Sequence, residues 1–438
     1  MYKKTITGLL ILVVFLSIAN LTLAEWAQVT PGIAGGDLTT RYGMGMASIS
    51  GDKVLLFGGS NGSYFSDTWL YDADEQRWTE LSPNIMGGTL GPTFLMGFSY
   101  IGYDRILMMG GRYNRYSTNI KADTWLFDFS ENSWRKLSPI YEGPTWSKRA
   151  RQGMAYLGGD KVLMFGGYIP YTDTNDTWIF NLTENKWTYK SPAENGGTLS
   201  ARSTMMLSYI EDGKVLGFGG RQGDTFYNET WIYDLPADTW TKLSPIVSGG
   251  TLTARGGQGM TYIGGGRVLM FGGEIGSNNI GANDMWIYDL SENTWTEASD
   301  ISGYAPTPRC FPGAAQLGSG KIILFGGING ADNFNDTWTF QVDGYLSSTL
   351  TAVPTTGGVT ISWNVPSGVL NSAFYIYKNN KPITNTPIIG TLEGEQTIYS
   401  YFDSDLVPGT NSRYKVLEID AAMNSEVFSR EITVPYCP

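Results

Sequence analysis

The chain has 438 residues, 56 of them glycine, with 13% aromatic and only 16% charged residues. That mixture suits many short strands joined by tight turns, and the length suits one large repeat domain with an appendage. The formal net charge of −11 argues against a nucleic-acid surface or an anionic membrane as the main partner.

Residues 1–24 read as a secretory signal. Lys3 and Lys4 make a positive start, an apolar stretch runs from Leu9 to Ala19, and Leu21-Thr22-Leu23-Ala24 ends in a small residue before Glu25. The alternative is a retained membrane anchor, but the apolar run is short and ends in a cleavage-type site. No later segment is long and apolar enough to span a bilayer. The mature chain is therefore expected to be secreted, periplasmic or on the cell surface, and monomeric. Cys310 and Cys437 are the only cysteines; an exported chain permits one disulfide between them and also permits two buried free thiols.

One unit repeats along the chain. Gly-Gly doublets begin at Gly58, Gly110, Gly166, Gly219, Gly272 and Gly326, spaced 52, 56, 53, 53 and 54 residues apart. Five of them precede a pair of tryptophans nine residues apart: Trp69/Trp78, Trp125/Trp134, Trp178/Trp187, Trp231/Trp240 and Trp286/Trp295. Such a period marks an array of one supersecondary unit. Each doublet closes a continuous apolar run, Lys53-Val54-Leu55-Leu56-Phe57 in the first unit, which reads as a strand buried on both faces. The next strand carries the first tryptophan, with Trp69 and Tyr71 on one face. An acidic or Asn-rich turn leads to a fourth strand carrying the second. Four antiparallel strands per unit, repeated radially, describe a propeller blade.

The sixth unit has Trp338 but Ser347 nine residues later, so it lacks a fourth strand of its own. The segment Glu25-Trp26-Ala27-Gln28-Val29 supplies one. Trp26 lies 15 residues before Arg41, the interval that also separates Trp134 from Arg149, Trp187 from Arg202 and Trp240 from Arg255. The mature N-terminus is therefore expected to complete the last blade and remove the free sheet edges.

The doublets, the spaced Tyr and Trp and the closing strand resemble the kelch family over residues 25–342. Kelch units often begin Arg-x-Gly-His; here Arg255-Gly256-Gly257 is followed by Gln258, and Met44, Met96, Gln152, Met205 and Pro312 occupy the same position elsewhere. After a connection at 343–351, Val359-Thr360-Ile361-Ser362-Trp363 and Phe374-Tyr375-Ile376-Tyr377-Lys378 alternate as strands do. The run from Leu406 to Val416 resembles the Leu-x-Pro-Gly-Thr…Tyr-x-Val segment of fibronectin type III domains, with Tyr414 as corner tyrosine and Trp363 in the core. Residues 352–438 are thus expected to form a fibronectin type III or other immunoglobulin-like sandwich, and the whole chain to be all-β.

An exported kelch propeller followed by a sandwich resembles galactose oxidase, which needs copper held by histidines. This chain has no histidine, so that site cannot be built and no cofactor or metal is expected. A histidine-free site of Glu, Asp and Arg remains open, as in sialic acid epimerases of this fold. The expected function is non-catalytic binding of an extracellular glycan or protein, with a histidine-free carbohydrate-active enzyme as the alternative. Arg41, Arg149, Arg202, Arg255 and Arg309 recur at one phase, with Thr93 in unit two. They read either as an anion-binding ring at the channel mouth or as a repeated structural bond to neighbouring-blade carbonyls, and in-phase repetition favours structure. The ligand face is expected over blades two to four, where the loops carry aromatic platforms and polar donors: Arg112, Tyr113, Arg115, Tyr116, Tyr141, Trp146, Lys148, Arg151, Tyr168, Tyr171, Arg221 and Phe226. Trp146 stands out as the tryptophan left over from the repeat. The sequons at Asn175, Asn228 and Asn335 coincide with the turn before the third strand and read as structural turns.

Overall fold

The computed structural model describes residues 26–341 apart from 51, 117, 299–304 and 318–320. Toward the C-terminus it describes 351–355, 358–366, 372–379, 381–384, 388, 391–393, 396–404, 411–420 and 425–435. The described residues form strands and turns, with no helix. The proposed signal sequence, Cys437 and the Leu406–Thr410 segment lie outside them.

Six sheets make a six-bladed β-propeller. Blade one shows the pattern with β1 (Trp26–Val29), β2 (Gly32–Ala34), β3 (Gly45–Ile49), β4 (Lys53–Phe57), β5 (Thr68–Asp72) and β6 (Arg77–Leu81). Strands β3 to β6 form an antiparallel meander. The six innermost strands, β3 and its counterparts beginning at Gly97, Gly153, Met206, Gly259 and Gly313, contact one another in a closed ring. β1 belongs to the sixth sheet, where Trp26 pairs with Phe340 and Val29 with Thr337.

The blades depart from the expected four strands in one respect. In five of them the incoming inter-blade loop adds a short outer strand, parallel to the fourth: β2 on β6, and likewise Asn84–Met86, Ile140–Glu142, Ala193–Asn195 and Ile246–Ser248. These strands are too short and exposed to carry an alternating apolar pattern, so sequence periodicity does not reveal them.

Packing between blades explains the repeat. The residue ending the second strand stacks on the fourth-strand tryptophan of the next blade: Phe57 on Trp134, Phe165 on Trp240, Phe218 on Trp295 and Phe325 on Trp78, with centroids 5.1–5.3 Å apart. Trp26 stands in the same relation to Phe271, at 5.1 Å. The indole N–H reaches back as well, donating to the threonine before the preceding blade's third-strand tryptophan, as in Trp134 to Thr68 at 3.1 Å and Trp78 to Thr337 at 3.2 Å. Each buried indole thus combines a large apolar burial with a satisfied donor. The doublets answer a close approach: a Cβ on Gly58, at φ +67°, would lie 2.3 Å from the Thr93 carbonyl of the next blade. Only glycine accepts both that conformation and that distance.

In the C-terminal region two four-stranded antiparallel sheets are described. One runs Thr351–Thr355, Gly358–Pro366, Gln396–Asp403, Thr391–Glu393; the other runs Lys381–Pro382, Ser372–Lys378, Asn411–Asp420, Ser425–Pro435. Trp363 and Tyr399 are cross-strand partners in the first.

Candidate binding site at the channel mouth

The in-phase arginines come first, because they fix the face on which the site lies. Arg41, Arg149, Arg202, Arg255 and Arg309 are all buried. Each Nη1 donates to the first glycine carbonyl of the doublet 17 residues on, in its own blade, at 2.9–3.2 Å. Each also pairs with the acid before the third-strand tryptophan: Asp67, Asp176, Glu229, Asp284 and Asp336. That acid in turn accepts the indole N–H, as Asp176 does from Trp178 at 2.6 Å. Burial would raise these carboxyls, but the arginine hydrogen bonds and charge outweigh it and hold Asp176, Asp284 and Asp336 below the usual range. Side-chain bonds to neighbouring-blade carbonyls, the structural reading of these arginines, do not occur. It is the arginine's own carbonyl that reaches the neighbour, accepting from the second glycine of the preceding doublet, as Arg149 accepts from Gly111 at 2.9 Å.

Blade two replaces this unit. Thr93 stands where the arginine would, and Lys121 enters two residues before Asp123, the position that holds Phe65, Thr174, Tyr227, Ala282 and Phe334 in the other blades. Lys121 Nζ donates to Thr93 Oγ1 at 2.6 Å and to the Gly91 carbonyl at 2.9 Å. Burial lowers its pKa to about 8, with Asp123 opposing and Lys136 reinforcing the shift.

Two residues beyond each arginine phase lies a closed belt. Gly43, Leu95, Arg151, Thr204, Gly257 and Phe311 all have φ between 54° and 63°. Each N–H donates to the belt residue of the preceding blade: Leu95 to Gly43, Arg151 to Leu95, Thr204 to Arg151, Gly257 to Thr204, Phe311 to Gly257, and Gly43 back to Phe311, at 2.7–3.1 Å. The belt surrounds the axis at the channel mouth. A second tier is formed by the residues after the doublets: Ser60, Arg112, Tyr168, Arg221, Glu274 and Ile328. Each bridges to the residue before its own blade's belt position.

These two tiers gather charge on one side. Arg112, Arg151, Arg221 and Glu274 interact there, and beside them Phe94, Leu95, Cys310, Phe311 and Ile328 form one apolar cluster, in which Phe94 is the bridge partner of Arg112. Arg221 Nη1 reaches Glu274 Oε1 at 3.2 Å. Among the described residues, Arg112 and Arg151 have no carboxylate within ion-pair distance, and the Nε of each is buried without an acceptor. Arg112 lies over Tyr168 at 4.9 Å, and Arg151 faces Phe311 across the axis at 6.0 Å. Burial, then the charges of Arg221 and Arg112, bring Arg151 down to about 10. Burial likewise raises Glu274 above the usual carboxylate range, against the pull of Arg221 and Arg151. Enclosed cations with so little compensation attract an anion strongly.

The structure thus brings together Arg112, Arg151, Tyr168 and Arg221, with Phe226 beside Arg221 at 5.8 Å. Tyr113, Tyr116 and Tyr171 are exposed, and Arg115 lies over Tyr116. Exposed Lys148 donates to the Thr118 carbonyl. Trp146 and Tyr141 are placed elsewhere. Trp146 packs edge-on against Trp178 at 5.0 Å, beside Trp187 and Tyr141. It lies three residues before Arg149, in phase with Leu38, Leu90, Leu199 and Leu252, and so is a packing residue of the repeat. Glu274 was missed by sequence reasoning; its position directly after a doublet, shared with Arg112 and Arg221, is the signal that could have found it. The sequon asparagines 175 and 335 donate to the Leu199 and Leu38 carbonyls. Cys310 is a buried free thiol, pushed up to about 12 by burial.

The KLHDC2/KLHL20/DRC7 Kelch-repeats domain matches residues 97–327 and 244–380, and the Kelch motif matches 40–83. The chain belongs to the kelch-repeat family. Kelch propellers are in general non-catalytic scaffolds for protein interaction. Acyl-CoA-binding domain-containing protein 4 of Arabidopsis thaliana is 25% identical over 320 residues, 70% of this chain and 46% of that protein. An F-box/kelch-repeat protein of the same plant is 26% identical over 317 residues, 63% of this chain and 64% of that protein. Multiple epidermal growth factor-like domains protein 8 of Mus musculus is 26% identical over 291 residues, 62% of this chain and 10% of that protein. This kelch chain spans less than two thirds of the length of each of these relatives. Among its described residues no helix is long and apolar enough to cross a membrane.

Proposed function

We propose that this chain is an exported, non-catalytic binding protein that holds an extracellular carbohydrate or protein ligand at the channel mouth of its kelch propeller. The observation that carries the reading is the pair Arg112 and Arg151, enclosed cations with no carboxylate partner among the described residues of an otherwise acidic chain. A buried, uncompensated cation is costly unless an anion meets it. The exposed tyrosines 113, 116 and 171 around that mouth add contact surface.

The proposed plan has a signal sequence at 1–24, a propeller at 25–342 closed by β1, a linker at 343–351 and a fibronectin type III-like sandwich at 352–438. The phase of Trp26 and its pairing with Phe340 support closure, and the resemblance around Leu406–Val416 supports the sandwich. Export rests on the charged, apolar and small-residue order of the first 24 residues.

The test is a glycan-array screen and a pull-down with residues 25–438, beside an Arg112→Gln/Arg151→Gln control of unchanged melting temperature. A saturable ligand lost in the control is expected. A ligand retained by the control moves the site away from the channel mouth. The second reading, a histidine-free carbohydrate-active enzyme, draws on Glu274, whose raised pKa beside Arg221 suits a general acid. Turnover of a bound sugar, lost in Glu274→Gln, would favour it.

A further inference from the structure

Resting on the channel mouth as the binding site, we propose that its ligand is an acidic sugar, a ring that carries a carboxylate together with several hydroxyls. Several of the buried unpartnered atoms among the described residues lie around this opening and outline the complement; others, such as Trp146 Nε1 and Asn185 Oδ1, do not. Two donors, Arg112 Nε and Arg151 Nε, face no acceptor. Glu274 Oε2 faces no donor, and the Thr204 hydroxyl on the belt is without a partner. One step outward, Asp173 Oδ1 and Asn333 Oδ1 are also unpartnered; Asp173 is the cross-strand neighbour of Tyr168, and Asn333 that of Ile328. Buried polar atoms in folded chains nearly always have partners, so a group of orphans around one opening describes what enters it.

The signs of these groups exclude simpler ligands. A bare anion satisfies the guanidiniums but brings negative charge toward Glu274 and Asp173. A neutral sugar supplies hydroxyl donors to those carboxylates but leaves Arg112 and Arg151 unpaired. A carboxylate with adjacent hydroxyls meets both demands, the carboxylate in the planar fork of a guanidinium and the hydroxyls on the acceptors. Tyr168, Phe226 and Phe311 provide flat apolar faces for the ring. An acidic peptide offers few donors beside its carboxylates, so the number of orphaned acceptors favours the sugar.

Calorimetric titration of residues 25–438 with glucuronate, N-acetylneuraminate, glucose, glutarate and an acidic decapeptide tests this. At least one acidic sugar should bind ten-fold or more tightly than both glucose and glutarate. Arg151→Gln should weaken it at least ten-fold, and Glu274→Gln should narrow the gap between acidic sugar and glutarate. Arg112→Gln serves if Arg151→Gln does not fold. Glutarate or the peptide binding as tightly as the sugars, with the same loss in the arginine variant, overturns the ligand class while leaving the binding site standing. No acidic-sugar binding at millimolar concentration, or binding indifferent to these variants, overturns the inference; the pull-down then judges the site separately.

Discussion

The amide of Gly43 donates to the carbonyl of Phe311 at 3.1 Å, and this bond closes the belt between the first blade and the sixth. It completes a cycle of six backbone bonds through residues that all have positive φ. The belt is therefore a place where backbone conformation, and not side-chain chemistry, sets tolerance to change.

Gly257→Ala is expected to destabilise the propeller by about 1–3 kcal/mol. Its φ is +63°, and an added Cβ would meet the Phe311 ring at 2.3 Å. Urea unfolding measures the loss. The double variant with Phe311→Ala should lose less than the two single losses summed, since the clash disappears with the ring.

Arg255→Met should cost about 3 kcal/mol or more, because Asp284 and the Gly272 carbonyl lose a buried partner. Acid should mimic this throughout the ring. Asp176, Asp284 and Asp336 have folded pKa values below their unfolded ones. Their stabilisation is present above the ordinary aspartate value of about 3.9 and is lost as pH falls through the folded values. Melting temperature against pH should drop steeply in that window, and less steeply in Arg255→Met.

Blade two invites a swap. Thr93→Arg alone removes the hydroxyl that accepts from Lys121 and sets a guanidinium against that ammonium, so it should lower stability, whereas Thr93→Arg with Lys121→Phe places an aromatic ring beside the arginine as Phe65 lies beside Arg41 and should restore it. The folded Lys121 pKa of about 8 lies below its unfolded value. Its charge therefore destabilises the fold below pH 8, and that penalty is relieved as pH rises toward about 10.4. Thermal melts at pH 7 and 9.5 should converge in the double variant.

Glu274 has its folded pKa above the ordinary glutamate value. Its ionisation therefore costs nothing below the unfolded pKa and weakens the fold as pH rises through the folded one. Protonation also leaves the three arginines less compensated. Binding of an anionic ligand should tighten as pH falls through that range, and titration of Glu274→Gln should show a flat profile.

Deleting residues 25–30 removes Trp26, which is buried against Phe271 and Phe340. A loss of about 3–5 kcal/mol is expected from the indole alone. An unchanged melting temperature would refute the proposed closing role.

Much of the propeller was legible because its largest side chains recur at a fixed spacing; the same phase marked Trp26 as a fourth-strand tryptophan. The five short parallel strands were not, since three exposed residues leave no periodicity. Trp146 looked like a surplus aromatic because its loop, Gly143-Pro144-Thr145-Trp146, differs from Gly87-Gly88-Thr89-Leu90. Counting back three from the arginine identifies it with the leucines. Arg112 and Arg151 were named from loop composition, but their lack of carboxylate partners among the described residues depends on which neighbours the blades bring near, and no local sequence encodes that.

The belt has one further consequence. Its six bonds are made by main-chain atoms, so they do not depend on which side chain each position carries, provided the left-handed conformation is met. The propeller thus presents a six-seat socket on an invariant frame. Glycine sits at two seats, and leucine, arginine, threonine and phenylalanine occupy the others at a conformational cost of roughly 1–2 kcal/mol each. If the mouth is the binding site proposed above, re-seating those four positions would change what it recognises without rewriting a single blade.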